Sequence, residues 1–190
     1  MAKSKTLPIV IVVIVVLIAL VVGGAVSSYN SLVSLSEEVA AGQSQIQTQL
    51  QRRADLIPNL VNTVKGYAAH EEEVYTAVAE ARTQLLSAGT IGEQAEADQA
   101  LSSALSRLLA ISESYPELKA NENFINLQDE LAGTENRIAV ARKDYNELAQ
   151  TYNSTIRKFP KNLFAGMFGF EPVEYFEADA DAQDVPEVTF

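Results

Sequence analysis

The sequence predicts an all-α protein, an N-terminal transmembrane helix followed by an antiparallel up-and-down four-helix bundle. Three observations lead there. The chain opens on an uncharged apolar run, "LPIVIVVIVVLIALVVGGAV", over residues 7–26. Apolar residues then recur at helical spacing, most clearly where Phe124, Leu131, Ile138, Tyr145, Tyr152 and Phe159 stand seven apart. Pro58, Gly89 and Pro116 divide that pattern into four stretches.

Residues 1–6 form a tip bearing Lys3 and Lys5. The apolar run behind it, at about 1.5 Å per residue, spans a hydrocarbon core of about 30 Å. Lipid offers the backbone no partners, so the span must be helical despite its many β-branched residues. A cleaved signal peptide is the rival, with Gly23-Gly24-Ala25 as small residues for a peptidase. The run exceeds the ~7–15 residue core of such peptides, which favours a retained anchor. Lys3 and Lys5 precede the span and the next base is Arg52. The positive-inside rule then places the N-terminus in the cytoplasm and residues 29–190 outside.

The bundle is expected over residues 29–160, with helices at about 29–57, 58–88, 93–114 and 121–158. Leu32, Val39, Ile46, Leu50 and Ile57 make the first stripe. Proline suits the first turn of a helix and not its interior, so Pro58 ends the first helix and opens the second. Val61, Val64, Ala68, Val78 and Leu85 form the second stripe, which Gly89 closes. "TIGE" (residues 90–93) fits a capping box before the third stripe of Ala97, Leu101, Leu108 and Ile111. "SYPELKAN" closes that helix. In the fourth, Leu127, Thr134, Ala141, Leu148 and Thr155 run three residues behind the heptad seam. Connections this short make successive helices antiparallel.

Charges interrupt these stripes. Arg53 falls on the seam of Ile46, Leu50 and Ile57, and Glu71 lies between Ala68 and Val78. Glu135 and Arg142 flank the fourth seam. A lone buried charge costs several kcal/mol, so opposite charges should pair across helices. The expected network is Arg53, Asp55, Asn59, Glu71, Arg82, Glu135, Asn136 and Arg142, an ion-pair and amide network that fixes helix register.

The same stretches carry a resemblance. "YNSLV" follows the span, "QLQRRADLIPNLVNTVKGYAAHE" crosses the first corner, and "ESYPELKANENFINLQDELAGTENRIAVARKDYNELAQTYNSTIRKFP" covers the last two helices. In this ordered set, from Tyr29 to Pro160, the chain resembles the LemA family of bacterial membrane proteins. The resemblance implies one N-terminal membrane helix carrying an antiparallel helical bundle, in a bacterial plasma (inner) membrane. It implies no established enzymatic activity. It also implies genes placed near membrane proteases and other envelope proteins, an association rather than a mechanism.

The residues themselves exclude much chemistry. There is no cysteine, so disulfides, thiolate metal sites and a cysteine nucleophile are absent. His70 is the sole histidine and "HEEE" runs against the Glu-x-x-His order of di-iron bundles. No EF-hand loop, Gly-x-Ser-x-Gly or phosphate-cradling loop occurs. No metal or other cofactor is expected. The net charge of −11 argues against nucleic acid. That charge is uneven: +2 over residues 1–28, −6 over 29–170 and −7 over 171–190.

Tyr-Asn occurs three times, at residues 29–30, 145–146 and 152–153. Tyr145 and Tyr152 occupy the seam, and the asparagines after them can bond backbone or neighbouring helices. Residues 161–176 alternate aromatics and glycines. Phe164, Phe168 and Phe170, with Met167, can cover the end of the bundle, meet lipid or meet a partner. Residues 177–190 read as an acidic, disordered tail. There Val188 and Phe190 alternate before the terminal carboxylate, a format for strand addition to a PDZ-like groove.

The expected function is therefore non-enzymatic: a scaffold or interaction module of the cell envelope, acting through self-assembly. Its expected partners are the bilayer through residues 7–26 and either further copies of the chain or an envelope protein. An adaptor that presents its acidic tail to a membrane protease or PDZ-like partner is the alternative. A third reading is an enzyme or small-molecule sensor using the polar cluster.

Overall fold

A computed structural model describes residues 6–176. The chain is all-α: α1 (Thr6–Lys65), α2 (Glu72–Ser87), α3 (Ile91–Ser112), α4 (Pro116–Lys119), α5 (Glu122–Arg157) and α6 (Lys161–Phe168). No strand occurs among the described residues. Two compact units divide the chain, one of residues up to 40 with 148–173, the other of residues 41–147 with those from 174.

In the first unit, α1 begins as a helix with no buried face. Its best eighteen-residue window has a mean hydropathy of 3.4 and none of it is buried. A core helix of a soluble protein would hide such a surface, and this one is long and apolar enough to cross a membrane. Burial on α1 begins at Ser28, Leu32 and Val39; in the same unit Ala149, Tyr152, Asn153 and Ile156 of α5 and Ala165 of α6 are buried. Helix α6 ends at Gly169, whose φ of 75° carries it into the left-handed region, and the Phe170 N–H returns to the Ala165 carbonyl. Of the expected fourth seam, Tyr152 is buried, whereas Phe159 lies beyond the end of α5 and is 80 % exposed.

In the second unit four long helical stretches enclose one core. Ile46, Leu50, Ile57, Leu60 and Val64 come from α1, Tyr75, Val78 and Leu85 from α2. Leu101, Leu105 and Leu108 come from α3, and Phe124, Leu131, Ile138 and Tyr145 from α5. They follow the expected stripes with shifts: Leu60, Tyr75 and Leu105 join the core, whereas Val61 and Ile111 are only half-buried. The capping box forms as the sequence indicates: the Glu93 N–H donates to Thr90 Oγ1 at 3.2 Å, and Glu93 Oε2 accepts from the Thr90 and Gly89 N–H groups. Those backbone bonds hold the Glu93 carboxyl below its usual pKa. Pro116 opens the single-turn α4, whose Leu118 is buried, within the stretch expected as a loop.

The first corner is not at Pro58. Helix α1 runs through that proline to Lys65, joining the span to the first bundle helix, and α2 starts at Glu72 rather than residue 58. A proline there removes the N–H that would bond the carbonyl four residues back and costs about 3 kcal/mol or more. That carbonyl belongs to Ala54, which is fully buried. Arg82 of α2 supplies the missing donor, its Nε–H reaching the Ala54 oxygen at 2.8 Å. A charged donor from a neighbouring helix thus makes the interior proline tolerable. The turn falls instead at residues 66–71, where the Tyr67 and Ala68 N–H groups cap Val64 and the Tyr75 hydroxyl donates to the Ala68 carbonyl at 2.5 Å. Burial first, then the Glu71 carboxylate, pushes the Tyr75 hydroxyl pKa upward.

Substituting Arg82→Met should therefore cost about 1.5–3 kcal/mol, the range for a hydrogen bond from a charged donor. In a Pro58→Ala background residue 58 regains its own N–H, and the same substitution should cost at least ~1 kcal/mol less. Urea denaturation of the four proteins measures this coupling. Equal losses in both backgrounds would contradict the role given to Arg82.

Candidate functional site

The polar centre of the second unit is built on Asp98 of α3. Arg53 of α1 donates from Nη1 to Asp98 Oδ1 at 2.6 Å, and Arg142 of α5 donates from Nη2 to Oδ2. The side chains of Arg53 and Asp98 are each 5 % exposed and that of Arg142 is 30 % exposed. Arg53 Nη2 also donates to Ser102 Oγ at 3.0 Å, while that hydroxyl donates to the Asp98 carbonyl one turn back. The Phe176 ring also stacks on this centre, its centroid 4.2 Å from the Arg142 guanidinium carbon.

Phe176 is held there by backbone. Asn146 of α5 donates from Nδ2 to the Phe176 carbonyl at 2.9 Å and accepts the Phe176 N–H at Oδ1 at 2.8 Å. The Tyr145 hydroxyl donates to the Glu174 carbonyl at 2.8 Å. In the first unit, Asn153 grips Val173 the same way, with bonds of 2.8 and 2.9 Å. A side-chain amide bonded on both edges to one residue mimics a neighbouring strand. The Tyr-Asn words of α5 therefore strap an extended segment to a helix. Burial and the nearby Glu174 raise the Tyr145 pKa, and burial and Glu171 raise that of Tyr152.

The expected network is only partly assembled. Arg53 and Arg142 meet, and Arg82 caps Ala54. Asp55 is exposed and accepts only from Gln51, one turn back on α1. Asn59, Glu135 and Asn136 are exposed, and half-buried Glu71 stands at the N-cap of α2 without capping it. Periodicity that tolerates one position of slip cannot separate a seam residue from its neighbour on the solvated face. The acid that matters, Asp98, was not in the expected set. Its signal was present: it lies seven residues from both Ile91 and Leu105, on the buried stripe of α3. Phe176 carried no such signal, because its burial depends on the strap.

Of the expected contact residues, Phe164 and Phe170 are half-buried and Phe168 lies edge-on to Tyr29, ring centroids 5.0 Å apart. Val188 and Phe190 lie outside the described residues. Among the described residues no cluster of three or more His, Asp or Glu side chains could hold a metal ion. A concavity of about 680 Å³ is an open groove lined by Lys65, Glu72, Tyr75 and Glu80, with none of Arg53, Asp98 and Arg142 in its wall.

Asp98→Asn leaves two arginines facing a neutral amide and should destabilise the fold by about 3–5 kcal/mol. Glu135→Gln, on an exposed face, should change stability by no more than about 0.5 kcal/mol. Chemical denaturation distinguishes the two.

Stability should also fall in alkali. A tyrosine whose folded pKa is raised contributes stability that is fully present below its unfolded pKa of about 10 and is lost as pH rises through the folded value. Tyr75, Tyr145 and Tyr152 all shift in that direction. Urea midpoints measured upward from pH 9 should drop, and Tyr145→Phe should lessen the drop.

Known proteins place these features. The family model described as the LemA family matches residues 42–190. Magnetosome protein MamQ 2 of Paramagnetospirillum magneticum is 33 % identical over 187 residues, covering 85 % of this chain and 68 % of that protein. Magnetosome protein MamQ of Magnetospirillum gryphiswaldense is 31 % identical with the same coverage. Protein LemA of Metamycoplasma hominis is 25 % identical over 150 residues, 78 % of this chain and 68 % of that protein. An all-α chain with an exposed apolar helix at its front, matched over most of its length in this way, belongs to the LemA family.

Proposed function

We propose that this chain is a non-enzymatic scaffold of the bacterial cell envelope, held in the plasma membrane by residues 7–26 and acting through self-assembly or an envelope protein partner. The observation that carries the reading is the use made of buried charge. Both oxygens of Asp98 are taken by arginines, and Arg82 is committed to a backbone carbonyl. A catalytic acid or base needs a group with a proton to exchange and access to substrate. These groups are fixed donors and acceptors of the fold.

The apolar stretch of α1 supports the anchor, since exposed valine and isoleucine on every side suit lipid and not water. Lys3 and Lys5 favour a cytoplasmic N-terminus with the bundle outside. The relatives called magnetosome proteins fit a role in an organised bacterial structure, without fixing which one this chain serves.

The adaptor reading keeps one specific support: the family match continues to residue 190, through the acidic tail and Val188 and Phe190. Native mass in mild detergent separates the readings. Under scaffolding, the full chain should run as a discrete assembly of several copies, and removing Val188–Phe190 should leave it intact. A fragment of residues 29–190 then shows whether anchor or bundle drives assembly. Monomers throughout would remove the self-assembly reading and direct attention to the tail.

A further inference from the structure

Within the first unit, α6 turns an apolar face outward: Leu163 and Met167, one turn apart, are 59 % and 73 % exposed. Phe159, in the turn just before the helix, is 80 % exposed. The opposite face is engaged: Ala165 is buried and Phe168 packs edge-on to Tyr29 of α1. Phe170 meets the same tyrosine at 5.9 Å between ring centroids, and Lys161 Nζ donates to Ser31 Oγ at 2.8 Å.

Those contacts fix the depth of α6 along α1. Tyr29 stands three residues past Val26, the last of the apolar run, which is about 4.5 Å of helix. With residues 7–26 in the hydrocarbon, that level is the headgroup layer, which adds about 5–7 Å on each side of the core. Tyrosine favours that layer, with its ring apolar and its hydroxyl polar, so Tyr29 suits this level.

Charge agrees with position. Between Glu147 and Glu171 there is no acidic residue, yet Arg157, Lys158 and Lys161 fall within five positions. In a chain of net charge −11 this is a local reversal of sign. Arg157 and Lys158 are exposed. Cations beside an outward apolar face are the composition of a helix that lies in a bilayer interface.

We propose that the segment from Arg157 to Phe168 is a second membrane contact, in which Phe159, Leu163 and Met167 enter the outer acyl region and Arg157 and Lys158 meet anionic phospholipid headgroups. The inference rests on the anchor reading of residues 7–26. The two are separable because the chain lacks cysteine, so single cysteines report position without background labelling.

The test uses the full chain in nanodiscs of mixed phosphatidylcholine and phosphatidylglycerol. An environment-sensitive fluorophore is attached in turn to Val15→Cys, Leu163→Cys, Met167→Cys and Val140→Cys, the last an exposed apolar position of the other unit. Lipids carrying a nitroxide near the headgroup should quench the labels at 163 and 167, which should lose most of the iodide quenching that the label at 140 retains. Adding Arg157→Gln and Lys158→Gln should weaken lipid quenching more when the nitroxide is on phosphatidylglycerol than on phosphatidylcholine.

A buried Val15 label with labels at 163 and 167 open to iodide would overturn the second contact and leave the anchor standing. Labels shielded from iodide but untouched by lipid nitroxides would overturn it in favour of a protein surface. A Val15 label in water would overturn both readings.

Discussion

One turn of α1 ties the second unit together. Arg52 reaches Glu130 of α5 at 3.0 Å, Arg53 reaches Asp98 of α3, and the Ala54 carbonyl receives Arg82 of α2. Three consecutive residues thus address three different helices, Arg52 and Arg53 through side chains about 100° apart and Ala54 through its backbone carbonyl. The exposed Arg52 pair contributes little, since both partners are half in water. The other two are buried or part-buried and carry the consequence. A carboxylate with both oxygens committed accepts these two arginines in one geometry, whereas apolar stripes alone tolerate sliding by a heptad. Buried ion pairs are weak sources of stability and stronger candidates for specifying register. Here the register of α1, α3 and α5 passes through a single aspartate.

The neighbouring proline shows why that turn was misread. Helix-breaking by proline is a local rule, and the sequence around Pro58 obeys every local sign of a boundary. What overrides it is a donor that lies 28 residues onward and reaches the orphaned carbonyl only after α2 has folded back. The capping box at Thr90 was legible for the opposite reason, because all its partners lie within four residues. The seams were legible because burial repeats at a fixed period. Asp98 sits on such a seam, but an aspartate in the polar stretch "QAEADQA" (residues 94–100) reads as a solvated face until two arginines are known to meet it.

The strap extends the same lesson to hydrogen bonds. In the second unit Asn146 bonds both edges of Phe176, and in the first Asn153 bonds both edges of Val173. In each, one side-chain amide takes the place of a strand partner. Tyrosine before each asparagine is buried on the seam, which leaves the asparagine beside it for the segment outside. The paired words in α5 were visible in the sequence. Their partner was not, since extended residues bonded to side chains leave no periodic trace of their own.

These arrangements also constrain where any activity can reside. Aspartate, arginine and asparagine are residues from which active sites are often built; here Asp98 takes Arg53 and Arg142 on its two oxygens, and Asn153 is bonded to backbone. The matched region of the LemA family, residues 42–190, contains the whole of this centre and its strap. Among the described residues, the surface that the fold leaves apolar includes the front of α1 and the outward face of α6. Both suit lipid better than water. Under the scaffold reading proposed above, those faces hold the chain in place while the charges of the Asp98 centre hold its helices in register.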